Sequence, residues 1–84
     1  MKHYIPALTI PARTYNSDCT RYEEFDASDW FEDASAESIL QLAENGWSTE
    51  HVGFRYEVDR VAALEWLAFV RPGVLAEIRR RAGA

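Results

Sequence analysis

A chain of 84 residues that is 48% hydrophobic, with 3 Trp, 4 Tyr and 4 Phe, has the apolar surface for one modest core, which excludes an intrinsically disordered chain and predicts a single domain, 1–84. The net charge of −5 is unevenly spread: residues 14–50 hold ten acidic side chains and one basic one, Arg21, so this segment carries −9, repels phosphate backbones and disfavours direct nucleic-acid binding. The one cysteine, Cys19, excludes an intramolecular disulfide and a cysteine-rich metal site and suits a reducing cytoplasm; the longest apolar stretch, 61–70, is broken by Glu65 and too short to cross a bilayer.

Residues 1–6 hold no long apolar run, so no secretory leader is expected. Residues 3–11 predict an extended segment, which Pro6 and Pro11 confine to a sheet edge. Asn16-Ser17-Asp18 marks a turn, after which residues 19–25 return as a second strand. Asp26 and Ser28 are placed to cap a short helix over 29–33. Ser35 caps a clearer helix over 36–45, with Glu37 in its first turn and an apolar stripe of Ala36, Ile39, Leu40 and Ala43. Gly46 supplies the left-handed residue that stops it, and Trp47 is placed to fold back on Leu42.

Over 51–58, Val52, Phe54, Tyr56 and Val58 alternate with His51, Gly53, Arg55 and Glu57, the period-two pattern of a half-buried strand. Asp59 caps a helix over 60–70 that is apolar nearly all round, so it is buried or half of it faces a partner. Pro72-Gly73 ends it. A last helix, 74–82, presents Val74, Leu75 and Ile78, with Arg79, Arg80 and Arg81 at the end where the helix dipole favours cations. Together these elements predict an α+β fold, an extended or β N-terminal segment plus about three helices. A mostly α, helix-turn-helix-like bundle is the alternative, because residues 51–58 also fit that motif.

No catalytic constellation stands out. Cys19 with His3 or His51, and Ser48 with His51, bring nucleophile and base types together in composition but in no nucleophile motif. His3, Cys19 and His51 lack zinc-ligand spacing. Residues 26–37 have the length of a calcium loop, but Trp30 occupies a ligand position and Phe31 replaces the glycine its turn needs. The glycines are dispersed, so no phosphate-cradling loop forms. The expectation is a protein that is not an enzyme, with no cofactor and no metal.

Residues 22–37 combine seven carboxylates (Glu23, Glu24, Asp26, Asp29, Glu32, Asp33, Glu37) with Tyr22, Phe25, Trp30 and Phe31, and contain no Lys or Arg. One reading is a solvated helix start whose aromatics enter the core. The other is an interface in which aromatic anchors are ringed by charges that steer a basic partner. The partner would be a basic protein surface or a nucleic-acid-handling complex, bound through Glu23, Glu24, Asp26, Asp29, Trp30, Glu32 and Asp33.

Residues 46–58, Gly-Trp-Ser-Thr-Glu-His-Val-Gly-Phe-Arg-Tyr-Glu-Val, resemble the centre of a helix-turn-helix, and with residues 39–45 before them they look like small antitoxin domains over 36–67. That resemblance implies a transcriptional regulator or antitoxin touching phosphates through Arg55, Arg60 and residues 79–81. The helix over 60–70, however, offers almost no base-reading side chains. The compact acidic chain is also similar in type to phage-encoded anti-CRISPR and other anti-defence inhibitors. That similarity implies a nucleic-acid mimic docking in a basic groove. A homodimer with Trp66 and Phe69 as its seam is a third arrangement.

Overall fold

The computed structural model describes residues 8–16 and 22–83. His3, Cys19 and Arg21, the Ser17-Asp18 part of the expected turn and the start of the expected first strand lie outside the described residues. Four strands, β1 (Pro11–Asn16), β2 (Tyr22–Asp26), β3 (Ser48–His51) and β4 (Phe54–Val58), form one antiparallel sheet in the order β2-β1-β4-β3. Four helices, α1 (Ser28–Asp33), α2 (Ala36–Glu44), α3 (Arg60–Val70) and α4 (Pro72–Gly83), complete an α+β architecture.

The first strand lies further along the chain than the sequence pattern indicates, over Pro11–Asn16 in place of 3–11. Pro11 is tolerated because it opens the strand, where its missing N–H breaks no interior ladder bond. Its carbonyl still accepts from the Asp59 N–H at 2.9 Å. Residues 51–58 also differ from the single strand expected. They split into a hairpin that turns at Val52 and Gly53, with Gly53 at φ +82° and Val52 fully exposed. Because Ser48 opens β3 and caps no helix, the mostly helical alternative is not the fold this chain adopts.

The capping signals of α2 and α3 act as the sequence indicates, whereas α1 begins at Ser28 behind Ala27, which offers no side-chain cap, and α4 begins at Pro72, two residues before the expected start. The Ser35 hydroxyl accepts from the Ser38 N–H at 3.1 Å and the Asp59 carboxylate accepts from the Ala62 N–H at 2.8 Å. At the end of α2 the Gly46 N–H reaches the Ala43 carbonyl (3.1 Å) and the Trp47 N–H reaches that of Leu42 (2.8 Å), with Gly46 at φ +76°. This pair of bonds is the Schellman stop. Trp47 itself stands at φ +65°, a conformation a bulky residue adopts only where its surroundings hold it, and here its ring is buried in the core.

Ala12, Phe25 and Val58 share one face of the sheet, since directly opposed residues point the same way. The helices cover one end of that face, where Ile10, Ala12 and Ala27 join Phe31, Ile39, Leu42, Trp47, Trp66, Leu67 and Leu75 in the core. Phe31 is central and fully buried, edge-on to Trp66 with ring centroids 6.0 Å apart. The far end of the same face, with Tyr56 and Phe54, stays exposed. The molecule is accordingly a slab, 37 × 35 × 19 Å.

Candidate functional site

β2 lies at the edge of the sheet, and every residue from Tyr22 to Asp26 is exposed. Strand alternation places Glu23 and Phe25 on one face and Tyr22, Glu24 and Asp26 on the other. The chain then passes Ala27, which is buried, and enters α1, where Asp29, Trp30, Glu32 and Asp33 are exposed and Phe31 alone is buried. A six-residue helix between the sheet edge and α2 thus turns one aromatic into the core and keeps its neighbours outside. Trp30 remains 47% exposed while packing edge-on against Phe31, centroids 5.2 Å apart, so its indole is a supported ring on the surface.

Of the seven residues expected to make contacts, six are exposed on β2 and α1, Glu23, Glu24, Asp29, Trp30, Glu32 and Asp33, with Glu23 and Glu24 on opposite faces of the sheet. Asp26 has a different task. Its carboxylate accepts from the Ile10 N–H (2.9 Å), the Ser28 N–H (3.0 Å) and the Ser28 hydroxyl (2.8 Å), tying the approach to β1 to the start of α1. Partial burial works against its ionisation, but these donors outweigh it and hold the carboxyl below the usual aspartate value.

The acidic segment is not uniformly uncompensated. Arg81 reaches Glu37 (3.5 Å), Glu44 (3.2 Å) and Glu77 (2.9 Å), so the α2 and α4 carboxylates share a cation. Hydrogen bonds from Arg80 and Arg81 lower Glu77 to about 2. On the sheet, Arg13 stands opposite both Glu24 and Glu57 and lies 5.8 Å from the Tyr22 ring centroid, while Arg55 contacts Glu57 at 3.2 Å. Tyr22 donates to Glu24 at 2.8 Å, a bond that raises the phenol above its ordinary value. An open depression of about 580 Å³ runs over this face, lined by Arg13 and Arg60 among Glu24, Asp26, Glu57 and Asp59, so charge there is mixed. Among the described residues no arginine forms an ion pair with Glu23 or Asp33, and exposed carboxylates follow one another along β2 and α1.

Two arginines of structural weight carry no local sequence signal. Arg71 donates to the carbonyls of Phe31 and Ala34, both at 2.8 Å, and so clamps the end of α1 to the α3–α4 junction. It lies 37 and 40 residues from those acceptors, a separation no short-range pattern reveals. Arg13 is distant in sequence from Glu24 and Glu57 and is set opposite them only by the strand pairing. The two expected seam residues part company: Trp66 is buried against Phe31, whereas Phe69 is 66% exposed beside Val70, with Val61 also exposed on α3. Arg79, Arg80 and Arg81 are exposed on α4, Arg60 is exposed at the start of α3, and Arg55 is half-buried on β4.

No helix among the described residues is long and apolar enough to cross a membrane. Comparison with protein-family models, curated proteins and solved structures finds no match for this chain.

Proposed function

We propose that this protein is a non-enzymatic binding module, an inhibitor or adaptor, that engages a basic protein surface through β2 and α1. The observation that carries this reading is the set of exposed carboxylates on β2 and α1, Glu23, Asp29, Glu32 and Asp33, on a stretch of chain that also holds the supported, half-exposed Trp30 ring. Exposed carboxylates accelerate encounter with a cationic surface, and a half-exposed indole anchored from behind supplies apolar area on docking at little entropic cost. A partner whose basic groove ordinarily holds nucleic acid fits this chemistry, because spaced carboxylates stand where phosphates would. That is the action of a phage anti-defence inhibitor of the anti-CRISPR type.

Affinity capture from the native host, with wild type beside a Glu23→Lys/Glu32→Lys/Asp33→Lys variant and elution by rising salt, tests the reading. Lysine at 32 and 33 suits the C-terminal end of α1, and circular dichroism of the variant checks that its fold is kept. The expected partner is retained by wild type at about 0.1 M salt, released as screening tightens, and lost by the variant. A partner held equally by both proteins and still bound near about 1 M salt contradicts it.

A further inference from the structure

We propose that the edge of β2 that no other described strand pairs with is a strand-addition site for an extended, basic segment of the partner; this rests on the acidic-surface reading above and specifies how that surface is engaged. The starting observation is the backbone. The Ala27 N–H donates to the Ile10 carbonyl at 2.8 Å, which sets the phase of the β1–β2 ladder. Antiparallel pairs alternate between hydrogen-bonded and non-bonded, so Phe25 and Glu23 direct their N–H and C=O groups to β1. Those of Tyr22, Glu24 and Asp26 then point out of the sheet. The Asp59 N–H donating to the Pro11 carbonyl fixes the same phase from the other side, since Pro11 bonds toward β4 and its missing N–H is not required by β2.

An exposed row of backbone donors and acceptors is a template for another strand, and the side chains on it decide which strand is accepted. Glu23 projects from one face of the edge and Glu24 from the other. An incoming strand with consecutive basic residues places one cation on each face. A second copy of this chain is rejected, because β2 paired with itself sets the Glu23-Glu24 pair of one chain beside that of the other. The opposite edge is a poorer template: β3 is only four residues long, and its Glu50 already faces Arg55 across the β3–β4 pair.

The test uses the full chain, isotope-labelled for NMR, titrated with two synthetic peptides. One is acetyl-Thr-Val-Lys-Arg-Val-Thr-amide. The other has the same sequence and charge but carries N-methyl groups on alternate backbone amides, which blocks strand pairing. A Glu24→Pro variant removes the central outward N–H, and a Glu24→Gln variant removes the charge while keeping that N–H. The expected result is binding of the unmodified peptide with shifted and exchange-protected amides at Tyr22, Glu24 and Asp26. N-methylation or Glu24→Pro weakens that binding at least about tenfold, the loss of one or two net hydrogen bonds. Equal binding of the two peptides, with shifts confined to side chains, overturns strand addition and leaves the acidic surface intact as a docking face. Failure of both peptides to bind at low salt counts against strand addition and against the acidic-surface reading together. The N-methylated peptide keeps the question decidable if the proline variant does not fold.

Discussion

The most informative single residue is Asp26, which lies within the acidic run yet serves the fold. Removing its carboxylate in Asp26→Ala leaves the Ile10 and Ser28 N–H groups without this acceptor. A loss of about 1–2 kcal/mol at neutral pH is expected in chemical denaturation, with Asp26→Asn recovering part of it. The folded-state carboxyl titrates below its ordinary 3.8, so the stabilisation is fully present above about pH 4 and is lost as pH falls through the folded value. Wild type and Asp26→Ala should therefore converge in stability as pH falls through the folded-state value, below which the carboxyl is protonated in both states. Glu77, lowered to about 2 from 4.5 by Arg80 and Arg81, adds acid sensitivity of the same sign: its contribution holds above 4.5 and fades toward 2. That cluster is solvent-exposed, and salt weakens it. Arg71→Met is expected to cost about 1.5–3 kcal/mol, since it strips two charge-assisted bonds from the α1 carbonyls; a melting temperature equal to wild type would contradict that role.

At the scale of elements, local chemistry was legible wherever one residue type determines one backbone state. Ser35, Asp59 and Gly46 mark helix ends in the sequence and do so in the structure. No Cβ at Gly46 would meet an atom within 4 Å, so Gly46→Ala is opposed by backbone conformation alone and should cost about 1–2 kcal/mol in thermal unfolding. The hairpin over residues 48–58 was half legible. The alternation of Phe54, Tyr56 and Val58 predicts a strand, but Val52 continues the pattern into what is a turn, and nothing local shows that Gly53 folds the chain back. The first strand was displaced for a related reason. Residues 11–16 are only weakly patterned, and their strand state comes from being held between β2 and β4. The candidate site divided the same way: the exposure of Glu23, Asp29, Glu32 and Asp33 followed from composition, whereas the diversion of Asp26 to backbone donors and of Phe31 to the core required the tertiary fold.

On the scale of the whole molecule, charge is sorted by structure and not simply by sequence position. Arg81 ties the carboxylates of α2 and α4 together, and Arg13 and Arg55 sit among those of the sheet face. The exposed carboxylates of β2 and α1 are a smaller set than those of the −9 segment, on a slab 19 Å thick. The same slab leaves Val61, Phe69 and Val70 exposed on α3, so Phe69→Ser should leave stability within about 0.5 kcal/mol of wild type, in contrast to Phe31→Ala, where about 3–5 kcal/mol is expected from core truncation. Paramagnetic relaxation by a freely diffusing cationic probe, compared with its neutral analogue, measures near-surface potential at each amide of the free protein. The amides of residues 23–24 and 29–33 should show the largest cation excess in the molecule, reduced by the triple lysine substitution. A cation excess there no greater than along the arginine-bearing end of α4 would contradict the account.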